Sequence, residues 1–145
     1  MDYRAVFHVS AAGMDLEKLR LDTAALNLAN MDTSSAPGVA PFRPLRVVSQ
    51  PVVPPFQHWM SVEDVVRAGE TPHAAVVEAE VAPRIVHDPA DPHADSHGDV
   101  RYPGVNHTGE MLNVMSALRA YEANVAALGA ARSMAAHALE IGGQS

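Results

Sequence analysis

The sequence predicts a mainly α protein with a small β-rich insertion, its long N- and C-terminal helices paired as an antiparallel coiled-coil-like hairpin. Three observations predict this class. The last third of the chain carries apolar residues at alternating intervals of three and four, the spacing of a helical seam. The N-terminal stretch carries two such seams. Between them, recurring prolines break any helix and short alternating runs read as strands. The expected divisions are 1–31 for the first helix, 32–105 for an extended loop and small β-rich middle region, and 106–145 for the second helix.

In the last helix, from about Asn106 to Ile141, one seam is Met111, Val114, Leu118, Tyr121, Val125, Leu128, Ala135 and Leu139, interrupted only by Arg132. That is a heptad pattern sustained for roughly four heptads. A second seam, rotated about the same axis, is mostly small: Ala117, Ala120, Asn124, Ala127, Ala131, Met134, Ala138 and Ile141. A helix of this length spans roughly 50 Å at about 1.5 Å per residue, more than a compact domain of this size covers. The Met111-to-Leu139 seam is expected to pack on the first helix, leaving the alanine-rich seam for neighbouring subunits.

The first helix, from about Asp2 to Met31, also has two seams. One runs through Ala5, Val9, Ala12, Leu16, Leu19 and Leu26, with Thr23 and Asn30 in register. The other runs through Phe7, Ala11, Met14, Leu21, Ala25 and Leu28, with Lys18 in the gap. Positions offset by two lie roughly 200° apart, so the seams face nearly opposite ways. A helix of that kind is sandwiched between neighbours. Gly13 costs about 1 kcal/mol against Ala in a helix interior and marks a kink or a close crossing. Asn27-Leu28-Ala29-Asn30 then leads into the turn-forming run Asp32 to Gly38, with Asn30 suited to the left-handed conformation that closes a helix.

In the middle region Pro41, Pro44, Pro51, Pro54 and Pro55 exclude a helix. Leu45 to Ser49 reads as a short strand. Pro51 to Met60 reads as an extended loop anchored by Phe56 and Trp59, and Val62 to Val66 is too short to assign. Ala74 to Val86 reads as a strand, with Val77, Ala79 and Val81 alternating with Glu78 and Glu80, and Arg84-Ile85-Val86 resuming after Pro83.

Composition narrows the function classes. A net charge of −7 with no block of Lys or Arg argues against nucleic acid and anionic membranes as partners. The chain has no cysteine, so disulfides and thiolate metal sites are excluded. The N-terminus lacks the basic start and unbroken apolar core of a cleaved secretory signal, and no apolar run approaches a membrane span.

The densest chemistry is His87 to Asp99, where His87, His93 and His97 alternate with Asp88, Asp91, Asp95 and Asp99. Histidine and carboxylate ligands suit zinc or another divalent ion. The spacing matches neither the two-histidine helical motif nor the calcium-loop pattern, and a solvated turn is the plainer reading. No nucleophile elbow, phosphate loop or dinucleotide fingerprint occurs. The expectation is therefore a non-enzyme with no catalytic residue, metal, cofactor or small-molecule substrate. A histidine-based metal protein and a cytoplasmic helical adaptor are the rivals from other classes.

Three blocks resemble a known family, the C-type proximal rod proteins of the bacterial flagellar basal body, within the axial rod and hook proteins. Asn27-Leu28-Ala29-Asn30, with Thr33 in the following turn, is similar to the asparagine motif that ends the first helix across the axial family. Pro41-Phe42-Arg43 followed by Val47-Val48 is similar to the stretch after it. The most specific block runs from Asp88-Pro89 through Tyr102-Pro103, Val105-Asn106, Glu110-Met111 and Ala123-Asn124-Val125 to Ser133-Met134, Leu139 and Gly142. This block discriminates against other rod proteins of the axial family. The resemblance thins between about Pro51 and Val81. Met31-Asp32, the histidines around His93, and Glu122 where the family usually has Gln depart from the pattern.

The resemblance implies a structural subunit of the proximal rod, which transmits torque from the rotor to the distal rod and hook. It implies export by the flagellar type III apparatus without a cleaved signal, and assembly in the periplasm. The partners it implies are other copies of the chain, other rod proteins, the rotor-ring and export-gate base, and the export apparatus during secretion. The residues expected to pack between subunits are Phe7, Met14, Leu16, Leu19, Leu21, Leu26, Asn27, Leu28 and Asn30 from the first helix. From the last helix they are Met111, Leu118, Tyr121, Asn124, Val125, Ala127, Leu128, Met134 and Leu139.

Overall fold

The computed structural model describes residues 3–50 and 73–142; the expected loop bearing Phe56 and Trp59, and Val62 to Val66, lie outside them. The elements in order are α1 (Tyr3–Asn30), β1 (Leu45–Gln50), β2 (His73–Glu78), β3 (Arg84–His87), β4 (Asp99–Tyr102) and α2 (His107–Gly142). β1 pairs with β2 and β3 with β4, in two separate two-stranded sheets.

Both helix ends next to the middle region are fixed by asparagines. At the start of α2, the Asn106 side-chain oxygen accepts from the Gly109 amide at 3.1 Å, an N-cap that satisfies one orphan donor of the first turn. Glu110 in that turn has the charge sign the helix dipole favours. At the end of α1, Asn30 does not take the expected left-handed conformation: no non-glycine residue among those described has positive φ. Instead its amide donates back to the Leu26 carbonyl at 2.8 Å, and its own carbonyl accepts from the Thr33 amide at 3.1 Å. The helix closes through these bonds and needs no strained residue.

The strand expected over Ala74 to Val86 is divided. Pairing ends at Glu78: the Ala79 amide still reaches the Pro44 carbonyl (2.7 Å), but Pro44 has no amide to return the bond, and the Val81 amide turns to the Ala79 carbonyl (3.0 Å). Pro83 then has no amide to offer a ladder. β3 resumes at Arg84 and pairs antiparallel with β4, placing Arg84 opposite Tyr102, Val86 opposite Val100 and His87 opposite Asp99. β4 itself was not expected. Only Val100 and Tyr102 show apolar alternation there, too few residues to signal a strand without its partner.

Val100 is fully buried, as is Pro103 just after the strand. The chain then passes so close to the turn before β3 that a side chain at Gly104 would strike the Ala82 carbonyl oxygen and come within 2.8 Å of Val81 Cγ1. Only glycine fits there.

The chain divides into two compact units. One holds α1 as far as Lys18 together with α2 from Ala117. Here Gly13 lies directly against the Asn124 side chain. The other holds the rest of α1, Leu19–Val48 in all, with Val76–Ser116. In it, Arg20 and Ala24 line a cavity of about 430 Å³ with Glu110 and Asn113.

Candidate assembly surface

The residues α2 covers are not those of either expected seam. Fully or partly covered are Gly109, Glu110, Val114, Ala117, Ala120, Tyr121, Asn124, Leu128, Ala131 and Ala135; all but Gly109 and Ala120 alternate by four and three. This stripe takes alternate members from each seam. Ala117 and Ala131, at 0% and 1% exposure, share by heptad spacing the face that Asn124 presents to Gly13. The matching stripe on α1 is equally small and polar, with Ser10, Glu17, Ala24 and Asn27 buried at the same phase as Gly13.

The assignment of faces is therefore corrected. Each seam is divided: Ala117, Ala120, Asn124 and Ala131 of the alanine-rich seam are covered while Ala127, Met134, Ala138 and Ile141 are exposed, and half of the Met111-to-Leu139 seam faces outward. Met111, Leu118 (47% exposed), Val125 (46%) and Leu139 (78%) are all exposed, as are Leu112 and Met115 beside them. The physical reason is backbone proximity: Gly, Ala and Ser let two helices approach closely, whereas Leu and Met would hold them apart.

Of the other expected packing residues, Leu26, Ala127 and Met134 are exposed, and Phe7, Met14, Leu16, Leu19, Leu21, Leu28, Asn30, Tyr121, Asn124 and Leu128 are half-buried. Asn27 is 1% exposed and does not face outward at all. Its Nδ2 donates to the Leu45 carbonyl and its Oδ1 accepts from the Leu45 amide, both at 2.8 Å. The side chain thus does for the first residue of β1 what a neighbouring strand would do. Ser10, Gly13, Glu17, Ala117 and Ala131 were not expected in this role as a set. Their shared three-and-four phase was the available signal, masked by brighter seams of Leu and Met.

The histidine–aspartate tract is a folded loop in which the carboxylates serve the backbone. Asp88 accepts from the Ala90 amide (3.1 Å), Asp91 from the His93 amide (2.8 Å), and Asp95 from the amides of both His97 (2.8 Å) and Asp99 (3.0 Å). Such Asx turns replace the regular structure that the two prolines forbid. Tyr102 donates its hydroxyl to the second Asp91 oxygen at 3.3 Å, and the Arg84 guanidinium lies 5.0 Å above the Tyr102 ring while pairing with Asp32. His87 meets Asp99 across the hairpin at 3.0 Å, and His93 Nδ1 shares a 2.7 Å hydrogen bond with Ser34.

Ser34, His93 and Asp91 nevertheless do not form a hydrolytic triad. The carboxylate approaches the same ring nitrogen as the serine, at 3.9 Å, whereas a triad needs it on the opposite one. Among the described residues no three of His, Asp and Glu converge as an ion site.

The amides of Asp99 and His97 hold the Asp95 carboxyl below its ordinary value of 3.8. A depressed carboxyl stabilises the fold above that value, and the contribution is lost as pH falls through the lowered one. Acid titration followed by amide chemical shifts should show the His97 and Asp99 amides released only below the ordinary carboxyl value of 3.8, and Asp95→Ala should release them at neutral pH.

A helix that leaves Met111, Met115, Leu118, Val125 and Leu139 exposed has the surface of an interacting structural protein. Comparison with known proteins gives the particular kind. Residues 98–141 match the family described as flagellar basal body rod FlgEFG protein C-terminal. The chain is 34% identical over 137 residues to the flagellar basal-body rod protein FlgC of Salmonella typhimurium, covering 94% of this chain and 96% of that one. It is 34% identical over 142 residues to FlgC of Bacillus subtilis (93% and 95% covered) and of Borreliella burgdorferi (92% and 93%). The chain belongs to the FlgC family of flagellar basal-body rod proteins, and it is a structural subunit.

Proposed function

We propose that this chain builds the proximal rod by laying the outward faces of α1 and α2 against neighbouring copies and other rod components, and that torque passes through these packed contacts from the rotor to the distal rod and hook. The observation that carries this reading is the row of exposed Met111, Met115, Leu118, Val125 and Leu139 on α2. Apolar surface left in water on this scale marks an interaction site. Leu26, Ala127 and Met134 join the same intersubunit set; Asn27 and Asn124 serve the chain's own packing. Within the hairpin the two helices pack in coiled-coil fashion, as the alternating spacing supports.

The reading includes assembly in the periplasm after passage through the flagellar export apparatus, with no segment cleaved. Peptide mass spectrometry of basal bodies purified from cells carrying this chain as their sole copy tests it. The chain should be present with residues Met1 and Asp2 intact. Basal bodies that lack the chain, or a chain shortened at its N-terminus, would contradict it.

A further inference from the structure

We infer that Gly13 and Asn124 form a register lock, which fixes how far α2 slides along α1 and hence where the outward apolar residues of the two helices stand relative to each other. The contact is unusually close. A Cβ at position 13 would lie 2.8 Å from Asn124 Nδ2, 2.9 Å from Oδ1 and 3.0 Å from Cγ. The Asn124 amide is held in place by its own bond to the Ala120 carbonyl at 3.0 Å, one turn back. A Cβ beneath it would have to push the Asn124 amide off that bond, and Gly13 is the only glycine in α1.

Glu17 is buried in the same stripe and Tyr121 and Leu128 are half-buried opposite, but the smallest residues of the contact discriminate little between registers. Ser10 on one side and Ala117 and Ala131 on the other are small, so burial changes little when the helices slide. A slide of one heptad, roughly 10 Å, would bring Val6 or Arg20 beneath the Asn124 amide and leave a hole at Gly13 facing Ala117 or Ala131. Each alternative combines a clash with a void. A single polar residue at a core position setting helix register is a well-attested use of buried polarity. This role is independent of what covers the outer faces.

The absence of cysteine makes the test clean. Spin labels on Ala11→Cys and Ala130→Cys, both at exposed positions, report the helix offset by pulsed electron resonance in the full chain. The parent should give one distance, and adding Asn124→Ala should produce a second population displaced by about 10 Å. A second readout uses Gly13→Ala, which should lower the melting temperature by about 5 °C in the parent and raise it in the Asn124→Ala background, where the better helix former meets no clash. An unchanged distance distribution in Asn124→Ala, the lack of a single distance in the parent, or the same sign of melting shift in both backgrounds would overturn the proposal.

Discussion

The double substitution Leu118→Glu and Val125→Glu is expected to abolish rod formation and swimming while leaving the helical content of the isolated chain unchanged. Both side chains are about half exposed on α2. On a free helix surface such changes shift stability by only about 0.5 kcal/mol. In an assembled rod the same two carboxylates would lie in an apolar contact without partners, and an unpaired buried charge costs about 3–5 kcal/mol. Repeated in every subunit, that penalty exceeds what one interface of modest size supplies. Ala117→Glu gives the contrast. Ala117 is wholly buried within the chain, so this change should unfold the subunit before assembly is attempted. Circular dichroism of the purified chains, with soft-agar motility of complemented cells, separates the two outcomes.

The second large effect is expected at Asn27. Asn27→Ala removes both bonds to Leu45 and leaves a backbone amide and carbonyl without their partner at the edge of β1. Each unmet buried group costs about 1–3 kcal/mol, so urea unfolding should show a loss of about 2–4 kcal/mol. That is a large part of the total for a domain this size. Asn27→Asp keeps the acceptor for the Leu45 amide and loses the donor, so its stability should fall between the two. A loss under about 0.5 kcal/mol in Asn27→Ala would mean that β1 is held by other contacts.

Both effects show what the amino-acid pattern made legible and what it hid. The helices were legible because their apolar residues recur at helical spacing over many turns, and α2 begins at the asparagine that the pattern marked. The family was legible in the run from Asp88 to Gly142, where turn, strand and helix residues follow one another in a fixed order.

Which face turns inward was not legible. Periodicity weighs residues by hydrophobicity, so Met111, Leu118, Val125 and Leu139 outshone Ala117, Asn124 and Ala131. Here the strongest apolar signal belongs to side chains the chain leaves exposed, and the contact at Gly13 is built for closeness. Asn27 was read as part of a motif without a partner, because its partner is a backbone amide and carbonyl 18 residues away that no side-chain pattern records. β4 was hidden for a related reason: four residues form a strand only because β3 lies opposite them. The loop aspartates looked like ligands by composition, and only geometry shows their oxygens committed to local amides.

The central claim is that a stripe drawn from both seams, with Ala117, Asn124 and Ala131 at its closest points, turns inward, while Met115, Leu118 and Val125 face outward for neighbours to cover. Imaging of purified basal bodies at side-chain resolution tests it most directly. The account predicts that Asn124 remains against Gly13 of the same chain, while Met115, Leu118 and Val125 are enclosed by other subunits. Finding Leu118 and Val125 packed on the chain's own α1, or standing in solvent in the finished rod, would contradict it.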